Sequence, residues 1–110
     1  MNKQSKLSLN ENPKLQDFQR YVQDMEKERG FTEETTMAKC LLLGEEVGEL
    51  FKAVRKDQNI KVDKNSKFGT IDNELADILT YLCAIANKYD IDLEKAFREK
   101  EEKSKKRTWE

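Results

Sequence analysis

The chain has 110 residues, enough for one small domain with a thin core, because a domain of this size buries only roughly 65% of its unfolded surface. Its 21 basic and 22 acidic residues leave a formal net charge of -1, so bulk charge indicates neither a nucleic acid polymer nor a membrane as a partner. The longest apolar run, residues 40–43, is too short to cross a membrane, and the polar start indicates no secretory signal. We therefore expect a cytoplasmic protein.

The sequence contains no histidine and two cysteines. The absence of histidine excludes Ser-His and Cys-His nucleophilic pairs, histidine zinc sites and the Glu-x-x-His pattern of di-iron bundles. Cys40 and Cys83 lie among aliphatic residues, which indicates buried, reduced thiols rather than a disulfide framework. Any metal ion in this protein must therefore be held by oxygen atoms.

Helix-forming residues dominate the chain, so the sequence predicts an all-α protein. Residues 1–12 are polar and aperiodic, which indicates a flexible tail ahead of a single domain over residues 13–110. Asn12, followed by a proline, is predicted to cap the first helix. That helix is expected to run to about Arg29 and to end at Gly30.

Three more helices are predicted further along the chain. Thr32 is expected to cap the second helix, which ends at about Lys56. The polar, lysine-rich stretch over residues 57–69 is predicted to be a loop, whose lysines could either meet phosphate or lie in solvent. The remaining helices are predicted at about Thr70–Tyr89 and, after Asp92 as N-cap, at Leu93 to about Arg107.

Two acids of the second helix occupy positions that apolar residues would normally fill. On a wheel of about 100° per residue, Glu46 lies inside the apolar stripe and Glu49 lies at its edge. The stripe is formed by the aliphatic residues Leu42, Leu43, Val47, Leu50, Ala53 and Val54. The third helix repeats the arrangement, with Glu74 inside a stripe and Asp77 at its edge; that stripe comprises Ile71, Leu75, Ile78, Tyr81, Leu82 and Ile85.

Packing these two faces together would bring four carboxylates into one place. Burying like charges without compensation costs several kcal/mol per ion, so the acids must share protons or surround a cation. A site made only of carboxylate oxygens suits Mg²⁺, with Mn²⁺ as a possible substitute, and magnesium commonly takes further ligands from a substrate phosphate. The pattern therefore indicates phosphoryl chemistry, although acids that simply face solvent are the alternative. Glu45, off the stripe, could assist catalysis or could be a solvated side chain.

The same acidic residues carry a resemblance to a known family. Glu45-Glu46-Val47-Gly48-Glu49 and, after a loop, Glu74-Leu75-Ala76-Asp77 follow its Glu-Glu-x-x-Glu and Glu-x-x-Asp motifs. Over residues 14–107 the chain resembles the MazG-like nucleotide pyrophosphohydrolases of the all-α NTP pyrophosphatase superfamily. The resemblance implies a four-helix bundle completed by oligomerisation, as a homodimer or a dimer of dimers. It also implies hydrolysis of nucleoside triphosphates to a monophosphate and pyrophosphate, which controls the nucleotide pool.

By matching positions, the resemblance assigns the magnesium ligands and the catalytic acids. Glu46, Glu49, Glu74 and Asp77 would hold the ion, and a water assisted by Glu45 or Glu49 would attack phosphorus. Two alternatives remain open. One is a helical dimerisation or protein-interaction module without catalysis, and the other is an activity like that of the related phosphoribosyl-ATP pyrophosphatases.

Three basic residues are candidates for substrate binding. The C-terminal segment of the family often presents asparagine, lysine and arginine to the phosphates, and here Lys103 and Arg107, at i and i+4, can point the same way. The expected asparagine is replaced by Glu101 or Ser104, so a solvated basic tail is the alternative. Lys39 lies on the stripe of the second helix, where it could neutralise the acids, meet a nucleotide or extend its amine to solvent.

Overall fold

The computed structural model describes residues 4–60 and 68–108. The regular elements of these two segments are helices, with no strand among them, and this confirms the predicted all-α class. No helix in the described segments combines the length and the apolar character needed to cross a membrane. The four helices are α1 Leu15–Arg29, α2 Thr36–Asp57, α3 Ile71–Lys88 and α4 Leu93–Lys105.

The first helix begins two residues later than its proline suggests. The backbone N–H of Lys14 donates to Asp17 Oδ2 at 2.8 Å, so Lys14 rather than Asn12 is the N-cap. The predicted end of α1 is confirmed: Gly30 adopts the left-handed φ of 77°, which glycine accepts without strain. Its N–H and that of Phe31 both bond to the carbonyl of Glu26, which closes the last turn.

The N-cap predicted for α2 differs from the observed one, whereas the N-cap predicted for α4 is confirmed. The prediction of Thr32 as a cap is wrong, because the hydroxyl of Thr35 is the one that accepts the Ala38 N–H, at 3.1 Å. The two acids after Thr32 therefore precede α2 instead of filling its first turn. Asp92 caps α4 as predicted, with Oδ1 accepting the Lys95 N–H at 3.2 Å. That helix ends at Lys105, ahead of the predicted Arg107.

The described chain divides into two compact units, one comprising Met1–Glu33 with Ala86–Glu110 and the other Glu34–Ile85. In the first unit, α1 packs against α4, and the buried Gln19 connects them. Its Nε2 donates to Asn87 Oδ1 at 3.1 Å and to the Ile91 carbonyl at 2.8 Å, while Oε1 accepts the Leu93 N–H at 2.9 Å. One side chain thus holds the corner between α3 and α4 against α1.

Replacing Gln19 with leucine should destabilise the protein by about 2 kcal/mol, because buried polar partners left without a hydrogen bond cost about 1–3 kcal/mol. Urea unfolding followed by circular dichroism measures the change. Gln23→Leu, one turn later on the exposed part of α1, is the matched control and should change stability little. Equal effects of the two substitutions would contradict the structural role given to Gln19.

The second unit contains α2 and most of α3, and its apolar stripes are only partly covered. Ala53 and Cys83 are buried, as predicted from the stripe of α2 and from the aliphatic neighbours of the thiol, and Ala84 is buried as well. Cys40 is exposed, so the prediction of a buried thiol is wrong there. Leu75, placed in the core stripe, is 51% exposed, and Val54 and Leu82 are exposed too. In the described residues nothing covers these side chains.

The predicted loop between α2 and α3 is described only at its ends. The lysine-rich part over residues 61–67, whose lysines the sequence allows to meet phosphate or solvent, lies outside the described residues. Lys56, near the end of α2, and Phe68, which follows the undescribed stretch, lie close together: Lys56 Nζ is 5.4 Å from the centre of the Phe68 ring, within the range of a cation–π interaction. Gly69 and Thr70 then lead into α3, and Thr70 Oγ1 accepts the Asn73 N–H at 3.4 Å, which caps that helix.

Candidate functional site

Three carboxylates from α2 and α3 converge in the second unit. Glu46 comes from the middle of α2, Glu74 from the first turn of α3, and Asp77 from one turn later. One oxygen from each carboxylate lies within 4.8 Å of the others. The i, i+3 spacing of Glu74 and Asp77 puts both acids on one face of α3, towards Glu46, so the sequence pattern accounts for the convergence. We call these three residues the acidic cluster.

Glu74 is the most deeply placed member of the acidic cluster, with 7% of its surface exposed. Its Oε2 atom is fully buried and has no hydrogen-bond partner among the described residues. Its Oε1 atom lies directly against Gly69 at the entrance to α3. A buried carboxylate oxygen without a donor costs roughly 1–3 kcal/mol, because that oxygen has lost its water and has no hydrogen bond in exchange.

The neighbouring acids change the proton affinity of Glu46. Its pKa is raised from 4.5 to about 7, first by desolvation and then by a hydrogen bond that the protonated group makes with the Glu74 side chain. The negative charges of Asp77, Glu74 and Glu45 contribute further. The cluster therefore holds a proton on Glu46 over much of the range below pH 7, and that proton partly compensates the excess of negative charge.

The raised pKa predicts a pH dependence of stability in the metal-free protein. The folded state retains a proton on Glu46 that the unfolded chain releases above pH 4.5, so this contribution is complete below pH 4.5 and is lost as pH rises to about 7. Glu46→Gln should remove this component of the pH dependence. Urea unfolding in EDTA from pH 4.5 to 8 measures it for both proteins, and parallel stability curves would contradict the shift.

The composition of the acidic cluster fits a hard divalent cation. Its donors are carboxylate oxygens, which suit Mg²⁺ or Mn²⁺ and do not favour softer metals. Oε2 of Glu74, which has no hydrogen-bond partner among the described residues, is a candidate ligand atom. The pKa of Glu46 is raised by desolvation, by its hydrogen bond with Glu74 and by the neighbouring negative charges, and a doubly charged ion would offset those charges. The donor set and the spacing of the acidic cluster are therefore compatible with a divalent cation.

The other two predicted acids lie outside the acidic cluster. Glu49 forms an ion pair with Lys52, with Lys52 Nζ 3.4 Å from Glu49 Oε1, and both side chains are partly exposed. An exposed ion pair of this kind contributes little to stability, so breaking it to free the Glu49 carboxylate would cost little free energy. Glu45 is exposed on α2, although its charge is felt by Glu46. The structure thus brings together three of the four residues predicted to be metal ligands, and metal binding by any of the four stays a prediction.

The predicted basic residues differ in their surroundings. Lys39 is only 2% exposed, so the described conformation offers almost none of its surface to a nucleotide. Lys103 is exposed in the last turn of α4, and Arg107 is exposed just beyond that helix. Both belong to the first unit, whereas the acidic cluster belongs to the second. Their contact with phosphate stays a prediction.

One aromatic residue near the acidic cluster was interpreted from the sequence only as part of the apolar stripe. Tyr81 is half-buried, and its pKa is raised by desolvation and by the charges of Glu46, Glu34 and Asp77, with Glu45 contributing less. Its spacing of seven residues from Glu74 and four from Asp77 was the available signal, because those intervals share one helix face. Glu34, which precedes α2, carried no comparable signal in the sequence.

Comparison with known proteins identifies a family for most of the chain. The sequence model of the family described as MazG nucleotide pyrophosphohydrolase domain matches residues 31–109. That range contains α2, α3 and α4, and therefore every member of the cluster. No protein with curated annotation matches the chain significantly.

Proposed function

The chain belongs to the MazG nucleotide pyrophosphohydrolase family, and from this premise we propose that it hydrolyses nucleoside triphosphates to a nucleoside monophosphate and pyrophosphate in the presence of Mg²⁺. The observation that carries the proposal is the acidic cluster, in which oxygens of Glu46, Glu74 and Asp77 lie within 4.8 Å of one another. An activity of this kind would control the nucleotide pool of the cytoplasm, including the removal of unwanted triphosphates.

Within this proposal, Glu46, Glu74 and Asp77 would hold the metal ion, and Glu49, which pairs with Lys52 on the partly exposed side of α2, would be the fourth ligand. Magnesium, when bound, would neutralise phosphate charge and lower the pKa of a water molecule. Glu45 is exposed beside the acidic cluster, where it can accept a proton from an attacking water, and Glu49 is the other candidate base. Tyr81 is half-buried, and desolvation and the charges of Glu46, Glu34 and Asp77 raise its pKa, so it is a further candidate for contact with a polar substrate group. Lys103 and Arg107 remain candidates for phosphate contact, whereas the buried Lys39 would have to change conformation to reach a phosphate.

The proposal includes a second copy of the chain that completes the helical bundle. On α2, Met37, Leu41 and Phe51 recur at helical spacing and are strongly exposed, as Leu75, Leu79 and Leu82 are on α3. We call these six residues the apolar stripe surface; its three α2 members lie on the face opposite Glu46, outside the stripe of that helix described above. Two glycines of α2, Gly44 and Gly48, have nothing within 4 Å of an added Cβ, although glycine costs about 1 kcal/mol in a helix. Close approach of a partner helix accounts for both features.

A turnover assay and a stability assay together test the proposed function. Purified protein is incubated with Mg²⁺ and a panel of standard, deoxy and modified nucleoside triphosphates, as well as phosphoribosyl-ATP, and pyrophosphate release is measured. In parallel, millimolar Mg²⁺ should raise the Tm, because an ion that binds only the folded state stabilises it. A Tm shift without turnover on any substrate would support the metal site and contradict the proposed enzymatic activity.

Absence of both effects would favour the alternative of a helical interaction module, in which the apolar stripe surface is the functional feature. The substrate panel also decides between general triphosphate hydrolysis and an activity restricted to phosphoribosyl-ATP. EDTA should abolish turnover by removing the ion from the acidic cluster. Excess Mg²⁺ should restore turnover, because the proposed site binds its ion reversibly.

A further inference from the structure

Gly69 lies in the short described segment between the loop and α3, two residues before the helix begins. A Cβ atom added at this position would lie 3.1 Å from Glu74 Cδ and 3.6 Å from Glu74 Cγ, and it would overlap Oε1. Real Cβ atoms do not approach an oxygen so closely. The carboxylate of Glu74 therefore occupies space that exists only because residue 69 has no side chain.

The backbone conformation of Gly69 does not itself require glycine. Among the described glycines only Gly30 has a positive φ, so alanine can adopt the backbone angles of residue 69 without strain. Glycine is required at position 69 for steric reasons, because the Glu74 carboxylate of the acidic cluster occupies the space that a Cβ atom would fill.

We infer that Gly69 is a positioning residue for the metal site, because its missing side chain allows the Glu74 carboxylate to lie buried beside Glu46 and Asp77. This inference rests on the proposed function. Gly69 itself contacts neither metal nor substrate in this account. It acts through the position of Glu74.

The local hydrogen bonds determine what would move if a side chain were added. Thr70 caps α3 through the Asn73 N–H, and its carbonyl accepts the Glu74 N–H at 3.0 Å. These bonds fix the backbone between Thr70 and Glu74, whereas the end of the Glu74 side chain is flexible. The carboxylate would therefore rotate out of its buried position, and the helix would remain.

Gly69→Ala should weaken Mn²⁺ binding about tenfold or more, the size of loss typical when the residues supporting a metal ligand are changed. The Tm of the metal-free protein should stay equal or rise, since the substitution relieves a buried carboxylate and restricts the unfolded chain. A general folding defect would instead lower the metal-free Tm. Isothermal titration with Mn²⁺ and thermal melts in EDTA measure the two quantities separately.

The matched comparison is the same substitution in a chain that lacks the Glu74 carboxylate. Gly69→Ala should reduce Mn²⁺ affinity in the natural background and should have no further effect in the Glu74→Ala background, because the two changes act on one interaction. Equal losses in both backgrounds, or an unchanged affinity of the Gly69→Ala protein, would overturn the inference and leave the proposed function standing. Failure of the natural chain to bind Mn²⁺ at all would overturn both.

Discussion

Glu74→Gln should reduce pyrophosphate release by roughly 100-fold or more, which corresponds to about 2.7 kcal/mol of lost transition-state stabilisation. The substitution keeps the size of the side chain and removes the charge from the most buried member of the acidic cluster. A neutral amide is a poor ligand for magnesium, and the remaining acids would hold the ion less tightly. Pyrophosphate release at saturating substrate and several Mg²⁺ concentrations measures the loss.

Two controls separate this effect from unfolding. The helical content of Glu74→Gln should be retained and its metal-free Tm should not fall, because the natural carboxylate is buried with an oxygen that has no partner among the described residues. Glu102→Gln is the matched variant, since Glu102 is exposed and pairs with the similarly exposed Lys105 on α4. That variant should retain full turnover. Comparable turnover of both variants would remove Glu74 from the site.

Phe51→Glu should weaken self-association by about 100-fold or more. Phe51 is 62% exposed at the end of the apolar stripe surface on α2, and a phenylalanine buried in an interface contributes at least about 2 kcal/mol, to which the cost of burying a charge is added. We expect the natural chain to be a dimer or a dimer of dimers and the variant to be a monomer at micromolar concentration. Sedimentation velocity measures the difference.

Gln16→Glu introduces the same charge on an exposed position of α1 and should leave the assembly intact. Turnover of Phe51→Glu should fall with its assembly, because the bundle would lose the helices of the second subunit. A monomeric natural chain that is fully active would contradict this part of the proposal. An unchanged oligomer in Phe51→Glu would place the interface elsewhere on the chain.

The fold was predictable from the sequence to within a few residues at each helix end. Helical spacing of apolar residues and the near absence of proline identified all four helices, and Gly30 and Asp92 marked ends correctly. The starts of α1 and α2 were less predictable. Both Thr32 and Thr35 are suitable caps by residue type, and only the three-dimensional path decides which hydroxyl reaches an N–H.

The acidic cluster was predictable for a different reason. Glu46 and Glu74 interrupt apolar stripes at the same angle, so the packing of those stripes brings their charges together. Burial of individual side chains was not predictable, because Leu75 and Cys40 lie among apolar neighbours in sequence and are nevertheless exposed in the chain. The role of Gly69 was not predictable from the sequence either, because it depends on the position of the Glu74 carboxylate in the folded chain.

Paramagnetic broadening by Mn²⁺ tests the central claim most directly, because it locates a bound ion without requiring turnover. In amide spectra of the ¹⁵N-labelled protein, substoichiometric Mn²⁺ should first broaden the resonances of residues near Glu46 on α2 and near Glu74 and Asp77 on α3. Asp77→Asn should weaken this broadening at the same metal concentration. Broadening that begins at the exposed acids of α4, or that is uniform along the chain, would contradict a metal site in the acidic cluster.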